Sequence, residues 1–310
     1  MPLSRSSSVY LPHGGLVRPS SGLPDLWQLL SQIQEALSLQ DSEMADRFGL
    51  SFSDFSVLKA KKRAPDLMAT QSLCDELNIS PMRLIRGQID LRAVQEHFKG
   101  NHSYIPEKYR LLSELGLMSL EQILNELGKL KGEVVLQEAL KFLQITPDIF
   151  KKDQNVNLSI TTELLNYLAS TRLNEADFIN LGKNVVYLLP ETIQKLSTLN
   201  APHKVYESYF QMLNAQTWVY EIEQSSSEAF IFRTKPRQDL ADALGLRNYG
   251  SPILCSSYRE GLLKGISLLI GNFREPVIEK THCIHKNDGF CRYKMNFPIN
   301  EKKRHLQLVQ

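Results

Sequence analysis

Apolar positions recur at two different periods along the chain. Between Asp25 and Leu199 most of them fall three or four residues apart, which predicts a long run of helices. From about Gln216 the period drops to two, with Trp218 and Tyr220 on one face of a run, which predicts strands. The pattern therefore predicts a helical N-terminal part and middle, followed by a mixed α+β C-terminal part.

The C-terminal pattern is detailed enough to predict individual elements. The Asn287-Asp288-Gly289 sequence is a strong signal for a tight hairpin between two strands. The predicted elements are a strand at Thr217 to Glu223, a second strand that holds Phe230 and Phe232, a helix from Tyr258 to Ile270, and strands at Pro276 to His285 and Cys291 to Phe297.

The same pattern predicts a multidomain chain. The first segment is rich in Ser, Pro and Gly without apolar periodicity, so we expect a flexible tail there. The expected segments are a tail at 1–24, an all-α domain at 25–94, a linker at 95–110, a helical segment at 111–200 that is part of a sensor or a relay, an α+β domain with an antiparallel sheet at 201–300, and a basic tail at 301–310.

Composition changes this picture little. The chain has 310 residues and a formal net charge of +2, and 42% of its residues are hydrophobic, as in ordinary globular proteins. No apolar run approaches the roughly 18 residues of a membrane helix, and no secretory signal is evident. We therefore expect a cytoplasmic protein without a membrane partner.

The N-terminal part contains two short predicted helices joined by a tight turn. The first begins after Ser42 and is ended by Gly49, and the second runs from Ser51 through Lys59. This is the spacing of a helix-turn-helix, whose second helix enters the major groove of DNA. Four cations follow within five residues, Lys59, Lys61, Lys62 and Arg63, where phosphate contacts would be useful.

These residues also carry a family resemblance. The stretch "MADRFGLSFSDFSVLKAKKRAPDLMATQSLCDELNISPMRLIRG" resembles the lambda-repressor-like family (Cro type) of DNA-binding domains. It departs from that family because its second helix offers no strong bidentate reader of bases. The residues expected at duplex DNA are Ser51, Phe52, Ser53, Ser56, Val57, Lys59, Lys61, Lys62 and Arg63.

The cysteines near the C-terminus are the main candidate for a metal site. Cys283 and Cys291 flank the predicted turn, and strict alternation would place Glu279 on the same strand face as Cys283. Cys255 is the candidate third sulfur, and Glu279 or His285 could complete the set. The spacing leaves three alternatives open: a structural zinc held by Cys255, Glu279, Cys283 and Cys291, reduced cysteines packed in a hairpin, or redox chemistry.

This part of the chain carries a second resemblance. The stretch "YREGLLKGISLLIGNFREPVIEKTHCIHKNDGFCRYKMNF" resembles the vinyl-4-reductase-type sensor domain. The resemblance implies a dimeric sensor for a small apolar ligand, with zinc in some members. An aromatic sheet face against the predicted helix suits such a ligand. The residues expected to line the pocket are Trp218, Tyr220, Phe230, Phe232, Tyr258 and Leu262.

No catalytic motif is evident, so the sequence favours a protein that is not an enzyme. The leading hypothesis is a one-component bacterial transcription regulator: a homodimer whose C-terminal sensor domain controls an N-terminal DNA-binding domain. The first alternative is an interaction or signalling scaffold that kept the helix-turn-helix without reading DNA. The second is an enzyme or a haem sensor in the C-terminal domain.

Overall fold

The computed structural model describes residues 25–113, 115–151, 154–171, 173–186, 190–213, 218–243, 254–270 and 273–298. The two predicted tails, at 1–24 and 301–310, lie outside the described residues. The described chain is mostly helical, with a four-stranded antiparallel sheet near its C-terminal end. It divides into an N-terminal unit, Met1–Glu107 with Leu140–Lys152, and a C-terminal unit, Lys108–Ala139 with Asp153–Gln310.

Short, well-capped helices form the N-terminal unit. They are α1 (Leu26–Leu37), α2 (Asp41–Arg47), α3 (Phe52–Ala60), α4 (Leu67–Glu76), α5 (Pro81–Arg86) and α6 (Leu91–Phe98). The side chains of Asp25, Ser51 and Asp66 accept hydrogen bonds from the first turns of α1, α3 and α4. Helices α2 and α3 lie close to the predicted bounds, although a helix pair alone does not identify a DNA-binding fold.

The chain continues with further helices and two short strands before the sheet. They are α7 (Glu107–Arg110), β1 (Leu115–Gly116), α8 (Leu117–Lys131), α9 (Glu133–Leu143), a 3₁₀ turn (Pro147–Lys151), β2 (Asn155–Val156), α10 (Leu158–Thr171), α11 (Glu175–Asn184), α12 (Pro190–Ser197) and α13 (Pro202–Leu213). Helix α6 and helix α7 both extend into the segment expected to be a linker.

The C-terminal elements confirm the predicted order of strands and helix. They are β3 (Trp218–Ser225), β4 (Ala229–Pro236), α14 (Gln238–Ala243), a π-helical turn (Leu254–Tyr258), α15 (Arg259–Ile270), β5 (Val277–His282) and β6 (Cys291–Asn296). The strands pair in the order β3-β4-β6-β5, and all pairs are antiparallel. The sheet is therefore two hairpins joined side by side.

Glycines allow α15 to lie directly against α11. A Cβ atom on Gly261 would meet the carbonyl oxygen of Ile179 at 2.2 Å, and one on Gly182 would meet the carbonyl oxygen of Tyr258 at 2.2 Å. A Cβ atom on Gly265 would lie 2.5 Å from the carbonyl oxygen of Lys183. Because these neighbours are backbone atoms that cannot turn aside, only glycine permits this close helix crossing.

No helix in the described ranges is long and apolar enough to cross a membrane.

Candidate ligand-binding site

The inner face of the sheet is an aromatic core. Trp218, Phe230 and Phe232 are each 5% exposed or less, and Tyr258 is buried beside them at the start of α15. Tyr220 and Leu262 are half-buried. The structure therefore places most of the residues expected to line an apolar pocket inside packed protein.

Helix α13 fills the space in which that pocket was expected. The ring centroid of Phe210 lies 4.5 Å from that of Phe232 and 4.7 Å from that of Tyr220. The hydroxyl of Tyr206 donates a hydrogen bond of 2.6 Å to the carbonyl oxygen of Leu263 on α15. These distances are those of direct ring packing, so α13 closes the centre of this face.

A buried cation completes the inner face near its edge. Arg259 is 6% exposed, and its guanidinium lies 4.1 Å from the ring centroid of Trp218 and 6.0 Å from that of Tyr293. Cation–π attraction offsets part of the cost of burying the charge. Burial also raises the pKa of Tyr258 above its ordinary value, so that phenol stays neutral at physiological pH.

The cysteine hairpin departs from the predicted alternation. A β-bulge interrupts the pairing of β5 with β6 between Lys280 and His282. Beyond it, Cys283 is buried, and Lys280 donates a long hydrogen bond of 3.5 Å to its sulfur. Glu279 is exposed and pairs with Lys294 on the outer face. The inserted residue thus moves Cys283 to the face opposite Glu279.

The predicted zinc site is wrong for this reason. No disulfide joins Cys283 and Cys291, and the backbone amide of Ile284 donates a 3.4 Å hydrogen bond to the sulfur of Cys291. Glu279 cannot join them from the opposite face. The side chain of Cys255 lies outside the described residues. Among the described side chains, no three His, Cys, Asp or Glu residues are grouped to hold a metal ion.

The outer face of the sheet carries a pocket of about 320 Å³ between β3, β4 and the tip of the β5–β6 hairpin. It is lined by Val219, Glu221, Arg233, Thr234, Lys235, Gly289 and Phe290. The lining charge is one anion against two cations, which leaves the pocket net positive. The volume falls at the lower end of the range for small-molecule sites.

Strand register brings the charges of this pocket together. Glu221 is opposite Arg233, which donates hydrogen bonds of 2.9 Å from Nε and 2.7 Å from its terminal nitrogen. These bonds lower the pKa of Glu221 and raise the pKa of Arg233. Among the described residues, Lys235 has no ion-pair partner. Its side chain is exposed, and its positive charge also contributes to the lowered pKa of Glu221.

Phe290 supplies the aromatic wall of the same pocket. Its ring lies 5.5 Å from the guanidinium carbon of Arg233, and its other neighbour is the stacked ring of His282 at 5.4 Å. Sequence reasoning missed this site. The alternation of β3 and β4 placed Glu221, Arg233 and Lys235 on the outward face, but only the register and the hairpin geometry show that they meet Phe290.

The N-terminal residues expected at DNA lie on α3 and in the turn after it. Phe52 and Val57 are 57% and 50% exposed, and Ser51, Ser53 and Ser56 lie on the same helix or its cap. Two of the four cations are already paired with carboxylates: Lys59 with Asp41 at 2.6 Å, and Lys62 with Asp25 at 3.0 Å. Lys61 and Arg63 have no ion pair among the described residues.

Comparisons with known proteins return a different kind of protein from the predicted one. No family model matches the chain, and no curated protein matches it. Solved structures that resemble it include H-NOX proteins. An Fe(II) unliganded H-NOX protein from K. algicida is 11% identical, covers 60% of this chain and 98% of its own, and superposes with a TM-score of 0.41.

A second structure comes from work on haem distortion in the H-NOX family. It is 14% identical and covers 58% of this chain and 94% of its own, with a TM-score of 0.39. An oxygen-binding H-NOX domain related to soluble guanylate cyclases is 15% identical, covers 58% and 93%, and has a TM-score of 0.36. At this level of similarity, the ligands of those proteins cannot be transferred to this chain.

These findings overturn the predicted family assignment. The neighbours are H-NOX proteins, so the assignment to a lambda-repressor-like domain joined to a vinyl-4-reductase-type domain is wrong. The inferred DNA-binding transcription regulator depended on that assignment and is wrong with it. The scaffold alternative gains no specific support. The cofactor expectation, zinc or none, is also contradicted.

Two pockets among the described residues offer no ligand for haem iron. Haem iron needs an axial ligand such as His, Cys, Met or Tyr. None of these lines the outer-face pocket or the smaller described pocket of about 130 Å³ beside Glu126 and Asn180. The Nδ1 atom of His203 is buried without a hydrogen-bond partner, but His203 lines neither pocket. The rings around Phe210 leave no slot for a macrocycle at the centre of the inner face.

Proposed function

We propose that this chain is a binding protein rather than an enzyme, and that its C-terminal unit takes a small aromatic anion in the outer-face pocket. The observation that carries the proposal is that one pocket is lined by both the exposed Lys235, which has no ion pair among the described residues, and the half-buried ring of Phe290. The expected cytoplasmic location and the expected homodimer remain parts of this proposal.

The chemistry of the lining selects the ligand. A carboxylate, sulfonate or phosphate would accept charge-assisted hydrogen bonds from Lys235, and the guanidinium of Arg233 adds a second positive charge. An aromatic ring would pack against Phe290 and cover Val219, which is 38% exposed. The ligand therefore needs both a negative group and a flat apolar part.

Glu221 sets the strength of this site. Its carboxylate holds the guanidinium of Arg233 and contributes the only negative charge among the described lining residues. An incoming anion is repelled by it. Glu221 therefore weakens the binding of every anion. The pocket favours an anion that also has a ring to pack against Phe290 over an inorganic anion, which has only its charge.

The test is a titration of the full chain with benzenesulfonate, followed by NMR, with uncharged benzenesulfonamide as the matched probe. We expect a dissociation constant of about 1 mM for the sulfonate and binding at least about 5-fold weaker for the sulfonamide. Lys235→Met should weaken sulfonate binding by about 5-fold. Lys195→Met, which removes an exposed lysine on α12, is the matched control and should bind as the parent does.

Equal affinity for the two probes would contradict the proposal, because charge would then play no part. Loss of binding in Lys195→Met as large as in Lys235→Met would contradict it as well, since the effect would then reflect net charge rather than this pocket.

A further inference from the structure

The turn between α3 and α4 in the N-terminal unit presents apolar and cationic side chains together on the surface. Leu67 and Met68, the first two residues of α4, are 76% and 78% exposed. No other large apolar side chain in the described ranges is as exposed. The cations Lys61, Lys62 and Arg63 precede them by only a few residues.

The local structure fixes this turn firmly. Lys62 adopts a left-handed conformation at φ 50°, and the amide of Arg63 donates to the carbonyl oxygen of Leu58 at 3.0 Å. The indole nitrogen of Trp27 donates to the carbonyl oxygen of Arg63 at 3.1 Å. Pro65 is buried beneath the turn. The exposed side chains are therefore held on a rigid support.

Helix α4 buries a different face, which explains why Leu67 and Met68 point away from the core. Its buried residues Ala69, Leu73 and Cys74 follow helical spacing. The side chain of Asp66 accepts a 2.8 Å hydrogen bond from the amide of Ala69. That cap fixes the first turn of α4, so Leu67 and Met68 cannot fold back onto the core.

The charge balance around these two residues is positive. Asp25 offsets Lys62 through a 3.0 Å ion pair, which leaves Lys61 and Arg63 without a carboxylate partner among the described residues. Asp66 lies at the N-terminus of α4, where the helix dipole compensates its charge. Two cations without an ion pair among the described residues thus precede two protruding apolar side chains.

We propose that this turn, Lys61–Met68, docks on the surface of an anionic lipid bilayer. Anionic headgroups attract Lys61 and Arg63, while Leu67 and Met68 enter the boundary between headgroups and acyl chains. Side chains that are more than 70% exposed can enter a deformable bilayer without a matching cavity, which a protein partner would have to supply. Duplex DNA would pair with the cations but would leave the two aliphatic side chains in water. The proposal departs from the expectation of no membrane partner.

The test is sedimentation of the full chain with phosphatidylcholine vesicles that contain about 30 mol% phosphatidylserine, compared with pure phosphatidylcholine vesicles. We expect binding to the anionic vesicles that weakens as salt is raised. Leu67→Ser with Met68→Ser should reduce partitioning by at least about 10-fold. Lys61→Gln with Arg63→Gln should also reduce it by about 10-fold.

Matched controls distinguish an effect of this turn from the effect of removing any exposed apolar or cationic side chain. Val134→Ser removes another apolar side chain, which is 74% exposed on α9. Lys99→Gln with Lys151→Gln removes the same net charge elsewhere in the N-terminal unit. Both controls should bind vesicles as the parent does. All variants should keep the parent's melting temperature, because none of the substituted side chains is buried.

Three results would overturn the proposal. The first is a parent that does not sediment with the anionic vesicles, and the second is binding of the two turn variants as tight as that of the controls. The third is a chain that ignores vesicles and shifts duplex DNA in a way that needs Lys61 and Arg63 but not Leu67 and Met68. The last result would assign the turn to nucleic acid instead.

Discussion

The two faces of the C-terminal sheet differ in composition, although the same strands form both: the inner face is aromatic and buried, and the outer face is charged. On the inner face, alternate residues such as Phe232 and Tyr293 stack at 5.1 Å and are almost fully buried. On the outer face, the residues between them, such as Arg233 and Lys235, are charged and line a pocket. The comparison teaches that the most aromatic face of the sheet is core, and that the pocket lies on the polar face.

The largest expected effect is a loss of stability when a buried ring is removed from the inner face. Phe210→Ala removes a ring that is 2% exposed and contacts four other rings. We expect it to lower the free energy of unfolding by about 3 to 5 kcal/mol. Chemical denaturation measures this directly. A loss below about 1 kcal/mol would show that α13 does not close the inner face as described.

The second effect tests the helix crossing behind that face. Gly261→Ala places a methyl group 2.2 Å from the carbonyl oxygen of Ile179, so α11 and α15 must separate. We expect a loss of about 3 kcal/mol in unfolding free energy. Gly128→Ala is the matched control, because its methyl group meets only the flexible side chain of Leu136 at 3.3 Å. That variant should stay within about 1 kcal/mol of the parent.

The third prediction concerns the outer face and is a smaller effect, an increase in benzenesulfonate affinity. Glu221→Gln removes the negative charge of the pocket and releases the guanidinium of Arg233, so benzenesulfonate should bind about 3-fold more tightly. The melting temperature should change little, because the pair is exposed. Unchanged or weaker sulfonate binding would contradict the assignment of Glu221 to the pocket.

The pH dependence of the same site follows from the lowered pKa of Glu221. Its folded-state value lies below the unfolded value of 4.5, so its contribution to stability is present above pH 4.5 and is lost as the pH falls through the folded value. Benzenesulfonate stays ionised throughout. Its affinity should therefore be flat from pH 8 to pH 5 and should rise only below about 4.5, as Glu221 is protonated. A rise between pH 7 and pH 5 would point to a histidine instead.

Much of the fold could be predicted from local patterns. The period-two runs placed β3 and β4, and the Asn287-Asp288-Gly289 signal placed the hairpin between β5 and β6. Alternation failed at the bulge near Thr281, because an inserted residue depends on pairing with β6 rather than on the sequence of β5. This one residue separated Glu279 from Cys283 and removed the predicted metal site.

Contacts between distant elements were not predictable from patterns. The aromatic face was expected to hold a ligand, because nothing in the sequence shows that Phe210 of α13 fills it. The outer pocket depends on the pairing of Val219 with Lys235 and on the position of Phe290, which the strand alternation alone does not give. The sequence alone also does not show that Lys59 and Lys62, which were expected at phosphates, are paired with aspartates.

The most direct test of the central claim is to map, residue by residue, where benzenesulfonate binds. Backbone amide shifts in the NMR spectrum of the full chain report this during a titration. We predict saturable shifts at Val219, Lys235 and Gly289 on the outer face, and none at Phe210 and Tyr293 in the inner core. Shifts confined to the inner core, or no saturable shift at the outer pocket, would contradict the account.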